Sequence, residues 1–206
     1  DENNMPTLNN EAGVNALETM KAMTAYMDPE YLVSDSTYVQ QQFQQGKIAM
    51  ANLWASRGGA MDDEAESQVV GKVKMAAAPM GSAAPASSIW WDGIVIASNI
   101  SGEEADAAFR LAMEGMSEEM VQGANEAAIW LVKGFQPGPL SEGAIATATA
   151  TPAAPAYPST SRMGLMHTAL GNEIPAFLTG DRDAAATLAA IEEAYTTSAK
   201  EAGVLK

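Results

Sequence analysis

The chain has 206 residues, 47% of them hydrophobic, enough to bury a core as one domain or two small ones. It has no cysteine and a single histidine, His167, which excludes a disulfide framework and thiolate chemistry and leaves little for a histidine-based metal site or catalytic triad. A net charge of −15 argues against nucleic acid or an anionic membrane surface as partner, and no apolar run approaches the roughly 20 residues of a membrane span.

The stretch "NNEAGVNALETMKAMTAYM" sets Val14, Leu17, Met20 and Met23 at helical spacing, with Asn9 or Asn10 as N-cap and Pro29 at or just beyond the end. "SDSTYVQQQFQQG" reads as a short helix with Val39 and Phe43 on one side and Gly46 as its stop. Two strand candidates follow, "KIAMANL" and "KVKMAAAP", in which Ile48 and Met50, then Val73 and Met75, recur with period two. A third run, "GIVIAS", is continuous and β-branched, as in a strand buried on both faces. Ser101 and Glu104 have capping-box spacing ahead of a helix whose apolar face includes Ala105, Ala108, Phe109, Ala112, Met113 and Met116. Ser117, followed by Glu118 and Glu119, suits the start of another helix. "AAIWLVKG" fits helix or strand. Residues 134–158, rich in Pro, Gly, Ala and Thr, read as an extended connector. Two helices close the chain, around "SRMGLMHTAL" and "DAAATLAAIEEAYTTSAKEAG", the last buried along Leu188, Ile191 and Tyr195. The pattern is mixed α and β, with strands and helices interleaved.

Tryptophan placement is the feature closest to function. Trp54 stands where an apolar segment stops, and Trp90 and Trp91 stand just before another; only Trp130 lies within an apolar run. Aromatic faces stack on the weakly apolar C–H face of a sugar ring, and planar polar groups make paired bonds to its hydroxyls. Asp92 can accept from hydroxyls, and Arg57 can donate through its rigid fork. Each residue also has a plainer reading. Trp54 can be a lid on the core, and strand alternation would send Trp90 and Trp91 to opposite sides. Asp92 before glycine suits a turn. Arg57 can pair with Asp62, Asp63 or Glu64, and Tyr157 and Arg162 are second-rank contacts that also suit surface packing. "MDDEAES" lacks the alternating oxygen ligands and the turn glycine of a calcium loop and suits a solvated helix face.

In their order, "FQQGKIAMANLW", "WWDGIVIASNISGEEADAAFRLAMEGMSEE" and "TPAAPAYPSTSRM" resemble the C-terminal half of extracellular solute-binding proteins of ABC importers, the maltose-binding-protein-like family. The likeness runs from about Leu8 to Gly203; "WWDG" stands where many relatives have smaller residues. It implies an α/β, periplasmic-binding-protein-like fold, here mainly the C-terminal lobe plus a return segment of the N-terminal lobe. Residues 1–93 would be a portion of the C-lobe, 94–145 the segment that packs on the N-lobe, and 146–206 the connector and C-terminal helices. The implied activity is capture of a carbohydrate or polyol at Trp54, Arg57, Trp90, Trp91, Asp92 and Tyr157, for delivery to a membrane permease. The implied protein is periplasmic or extracellular, with or without a lipid anchor, and is a binder rather than an enzyme, without cofactor or metal. The polar opening "DENNMPTLNN" then reads as the interior of a longer protein whose N-terminal lobe is missing here, with a homodimer through the exposed return segment as another way to cover that surface. Two other classes stay open on residues alone: a glycoside hydrolase using Asp92 with a second acid, and a structural or interaction module.

Overall fold

The computed structural model describes residue 1 and residues 3–205. The chain divides into two compact units, Asp1–Ser34 with Pro158–Lys206, and Asp35–Tyr157.

The first unit is three helices: α1 (Glu11–Thr24), α6 (Ser161–Thr179) and α7 (Ala184–Glu201). Two starts are set by side-chain caps. Asn10 accepts from the Gly13 N–H at 3.0 Å and Asp183 from the Ala186 N–H at 2.8 Å, satisfying amides that a first helical turn leaves orphaned. Gly180 ends α6 in the left-handed region at φ 91°, where a side chain would be strained. Leu188, Ile191 and Tyr195 are buried as their spacing predicts, packed with Leu17, Ala169 and Phe177. The α1 stripe is narrower than predicted. Leu17 is buried, while Met20 and Met23 stay largely exposed because α6 and α7 cover only one side of that helix.

The second unit contains α2 (Ser36–Gln44), α3 (Gly102–Gly115), α4 (Glu118–Gly123) and α5 (Glu142–Ala148), with 3-10 turns at Ala55–Arg57, Gly59–Asp62, Asn125–Ala127 and Pro139–Ser141. Asp35 caps α2 by accepting from the Tyr38 N–H at 2.8 Å, and Ser117 caps α4. Ser101 takes the N-cap position of α3, but its hydroxyl makes no capping bond, so the predicted capping box does not close. The predicted connector holds more order than its composition suggests. Pro139 opens a 3-10 turn, and the alanine-rich "EGAIATA" that follows is α5, whose Thr147 hydroxyl accepts from the Ala78 N–H at 2.9 Å.

The predicted strands differ most. The segments at 48–53, 73–77 and 93–96 are irregular, with a bend at Ala49, and among the described residues none forms a ladder. A strand exists only with a partner to take its N–H and C=O groups. The pairings present are two isolated bridges, Met80 with Pro85 (antiparallel) and Ile89 with Ala156 (parallel). Met50 and Val95 are each 88% exposed, so "GIVIAS" is not buried on both faces. Residues 128–131 of the ambiguous "AAIWLVKG" are neither helix nor strand.

Candidate functional site

The Ile89–Ala156 bridge is made by two backbone bonds: Ile89 N–H donates to the Pro155 carbonyl at 2.8 Å, and Tyr157 N–H to the Ile89 carbonyl at 3.0 Å. Trp90 and Tyr157 are the residues that follow the bridged pair. In parallel segments equivalent positions point the same way, so the two rings meet. They stack with centroids 3.7 Å apart and planes 23° from parallel. Trp54 completes the group from the start of the turn Ala55–Arg57, its ring 5.4 Å from that of Trp90 at 87°, an edge-to-face arrangement.

These rings stay wet. Trp54 is 51% exposed and Trp90 44%, so neither is a lid sealed over a core. Trp91 is 58% exposed and stands outside the ring cluster, as strand-like alternation at Trp90 and Trp91 suggests. Asp92 is exposed beside it. The Arg57 guanidinium turns to α2 rather than to the neighbouring acids. Its Nη1 donates to Gln40 Oε1 at 2.6 Å and its Nη2 to Ser36 Oγ at 3.0 Å. Trp130 is half-buried, and its indole N–H donates to the Ala124 carbonyl at 3.0 Å, which fastens its own loop.

The geometry is an open aromatic wall. A hollow of about 270 Å³ in the same unit is lined by Gly59, Asp62, Asp63, Glu126, Pro139 and Leu140, and includes none of the three rings. Two of its three acids have structural work: Asp62 accepts from the Gly71 N–H at 2.8 Å, and Asp63 from the Ala65 N–H at 2.9 Å. Among the described residues no group of three or more acids or histidines is placed to hold a metal, and no helix is long and apolar enough to cross a membrane. The wall can stack an apolar ring face or an aliphatic chain, with Asp92 and Trp91 at hand as polar and aromatic neighbours in sequence. Residue-by-residue reading missed Ser36, Gln40 and Gln44; their four-residue spacing was the available signal.

No protein-family model matches the sequence, and no curated protein matches it. Solved structures do. The chain is similar to an ABC transporter solute-binding protein from Agrobacterium radiobacter K84 in complex with ribitol, at TM-score 0.76 and 22% identity, over 95% of this chain and 51% of that one. It is also similar to maltose-bound MalE3 of T. maritima, at TM-score 0.72 and 18% identity, over 94% of this chain and 52% of that one. The fold is that of a solute-binding protein. The chain spans about half the length of either structure. The periplasmic-binding-protein-like architecture implied by the sequence is therefore present, as a helix-rich portion in which the described residues of the solute-binding fold form almost no sheet.

Proposed function

We propose that this chain is part of the solute-binding component of an ABC importer, which captures a carbohydrate or polyol and delivers it to a membrane permease. The observation that carries this is the exposed Trp54–Trp90–Tyr157 wall, held on a fold whose solved neighbours contain ribitol and maltose. Stacking needs a ring that is rigidly placed and still open to water. Trp54 and Trp90 meet that need, with the half-buried Tyr157 backing Trp90; Trp91 and Asp92 are the proposed flanking contacts.

Binding, not turnover, is the proposed activity. Glycoside hydrolysis needs two carboxyls poised across a bond, and the three rings with their proposed flanking residues contribute one, the exposed Asp92. Residues 94–145 are proposed to pack on a complementary lobe, because Phe109 and Met113, one turn apart on the same face of α3, are both exposed. Residues 1–93 and 146–206 would then belong to the lobe that carries the wall. A ligand gripped from both lobes favours the closed state, since contacts from each side are made only there. A second copy of this chain is the alternative cover for residues 94–145. The proposed location is periplasmic or extracellular, with a lipid anchor as one means of retention.

Calorimetry with maltose and ribitol tests the reading. With one wall of a two-sided site, the chain should bind weakly, at about millimolar Kd or worse, and should leave maltose intact. Micromolar affinity would contradict the two-lobe grip, and cleavage of maltose would contradict the binding role.

A further inference from the structure

The glutamine-rich helix α2 carries a second pattern beside its apolar one. Ser36, Gln40 and Gln44 recur every four residues and so form a single polar stripe. All three reach the segment that begins at Trp54. Arg57 donates to Gln40 and to Ser36 at 2.6 and 3.0 Å, and Gln44 Nε2 donates to the Ala60 carbonyl at 2.8 Å. Gln44 is buried, and its bond to the half-buried Ala60 is partly shielded from water.

Arg57 is tied to Trp54 by the backbone. Its N–H donates to the Trp54 carbonyl at 2.9 Å, which closes the 3-10 turn Ala55–Arg57. The guanidinium is planar, so engaging two of its nitrogens leaves it little rotational freedom. The next turn, Gly59–Asp62, is held close to the chain at Glu126: a Cβ at Gly59 would lie 2.1 Å from the Glu126 carbonyl oxygen, so only glycine lets the backbone come this close. Trp90, by contrast, is placed by the Ile89–Ala156 bridge and the Tyr157 stack. The two indoles therefore rest on separate supports.

We propose that the Ser36–Gln40–Arg57 strut sets the edge-on angle between Trp54 and Trp90, which makes Arg57 and Gln40 positioning residues of the aromatic wall. The functional meaning of that angle rests on the solute-binding reading; the geometric role does not. A stacking surface made of two rings presents one shape only if the angle between them is fixed, and α2 supplies that fixity from outside the rings.

The test reads the angle without any ligand. Two indoles at this separation couple their ultraviolet transitions, and the sign and size of the resulting circular-dichroism couplet depend on their mutual orientation. Subtracting the spectrum of Trp54→Phe from that of the parent isolates the part owed to Trp54. Arg57→Ala should lose roughly half or more of that difference, and Arg57→Lys, which keeps the charge but not the fork, should recover part of it. A folded Arg57→Ala protein with an undiminished couplet overturns the proposal, whatever its thermal midpoint. Should Arg57→Ala not fold, Gln40→Met carries the test, because it removes one acceptor from a half-buried helix face and keeps the side-chain length. Titration of the parent with maltose separates the two ideas: loss of the couplet in the variants with no maltose response in the parent keeps the strut and removes the sugar-binding role.

Discussion

Trp90 lies flat against Tyr157, with ring centroids 3.7 Å apart, because the residues just before them are paired in parallel. The contact is made within the protein and precedes any ligand. Tyr157→Ala should therefore destabilise the second unit by about 0.5–1.5 kcal/mol beyond the loss of buried area. It should also expose Trp90, measured as stronger acrylamide quenching of tryptophan fluorescence. Unchanged quenching would show that the stack does not hold Trp90.

Gln44 joins α2 to the Gly59–Asp62 turn through the Ala60 carbonyl. Gln44→Ala removes the donor to that half-buried acceptor, at a cost of about 0.5–1.5 kcal/mol. Urea unfolding of the parent and the variant measures it; a difference near zero would mean that water takes over the bond.

Ile191 is fully buried in α7, within the cluster of Leu17, Phe177 and Leu188. Ile191→Ala should cost about 2–5 kcal/mol, the loss of transfer energy plus a cavity that a helical core fills only in part. The urea midpoint followed by helical circular dichroism reports it, and a loss below that range would indicate that α1 and α6 collapse onto the gap.

Phe109 and Leu111, exposed on α3, make the opposite case. Replacing either by serine should change stability by no more than about 0.5 kcal/mol, since little burial is lost. Light scattering of the same variants tests whether copies associate through residues 94–145. If the parent dimerises and Leu111→Ser does not, a second copy covers that surface.

The helices were the legible part of the fold. Leu188, Ile191 and Tyr195 keep one spacing and are buried, and Asp183 and Asn10 cap as their side chains dictate. The sheet was not legible, because period-two alternation at Ile48–Met50 or Val73–Met75 specifies a face and says nothing of a partner. The ring cluster was half legible. Trp54, Trp90 and Tyr157 could be picked out by residue type and position, but their meeting depends on a single bridge between residues 67 apart in sequence, Ile89 and Ala156. Residue type offered Arg57 either a ligand for its fork or the nearby acids for its charge. Its partners in the fold are the uncharged Gln40 and Ser36, whose four-residue spacing brings them to it.

The most direct test of the wall as a carbohydrate-binding surface is a titration of the chain with maltose and ribitol, followed through the four indole N–H resonances by NMR. We expect the Trp54 and Trp90 signals to shift together and saturate in the millimolar range, with Trp130, fastened inside its loop, unmoved and the response lost in Trp54→Ala. Signals from Trp54 and Trp90 that stay fixed at saturating sugar, or a response that survives in Trp54→Ala, would contradict it.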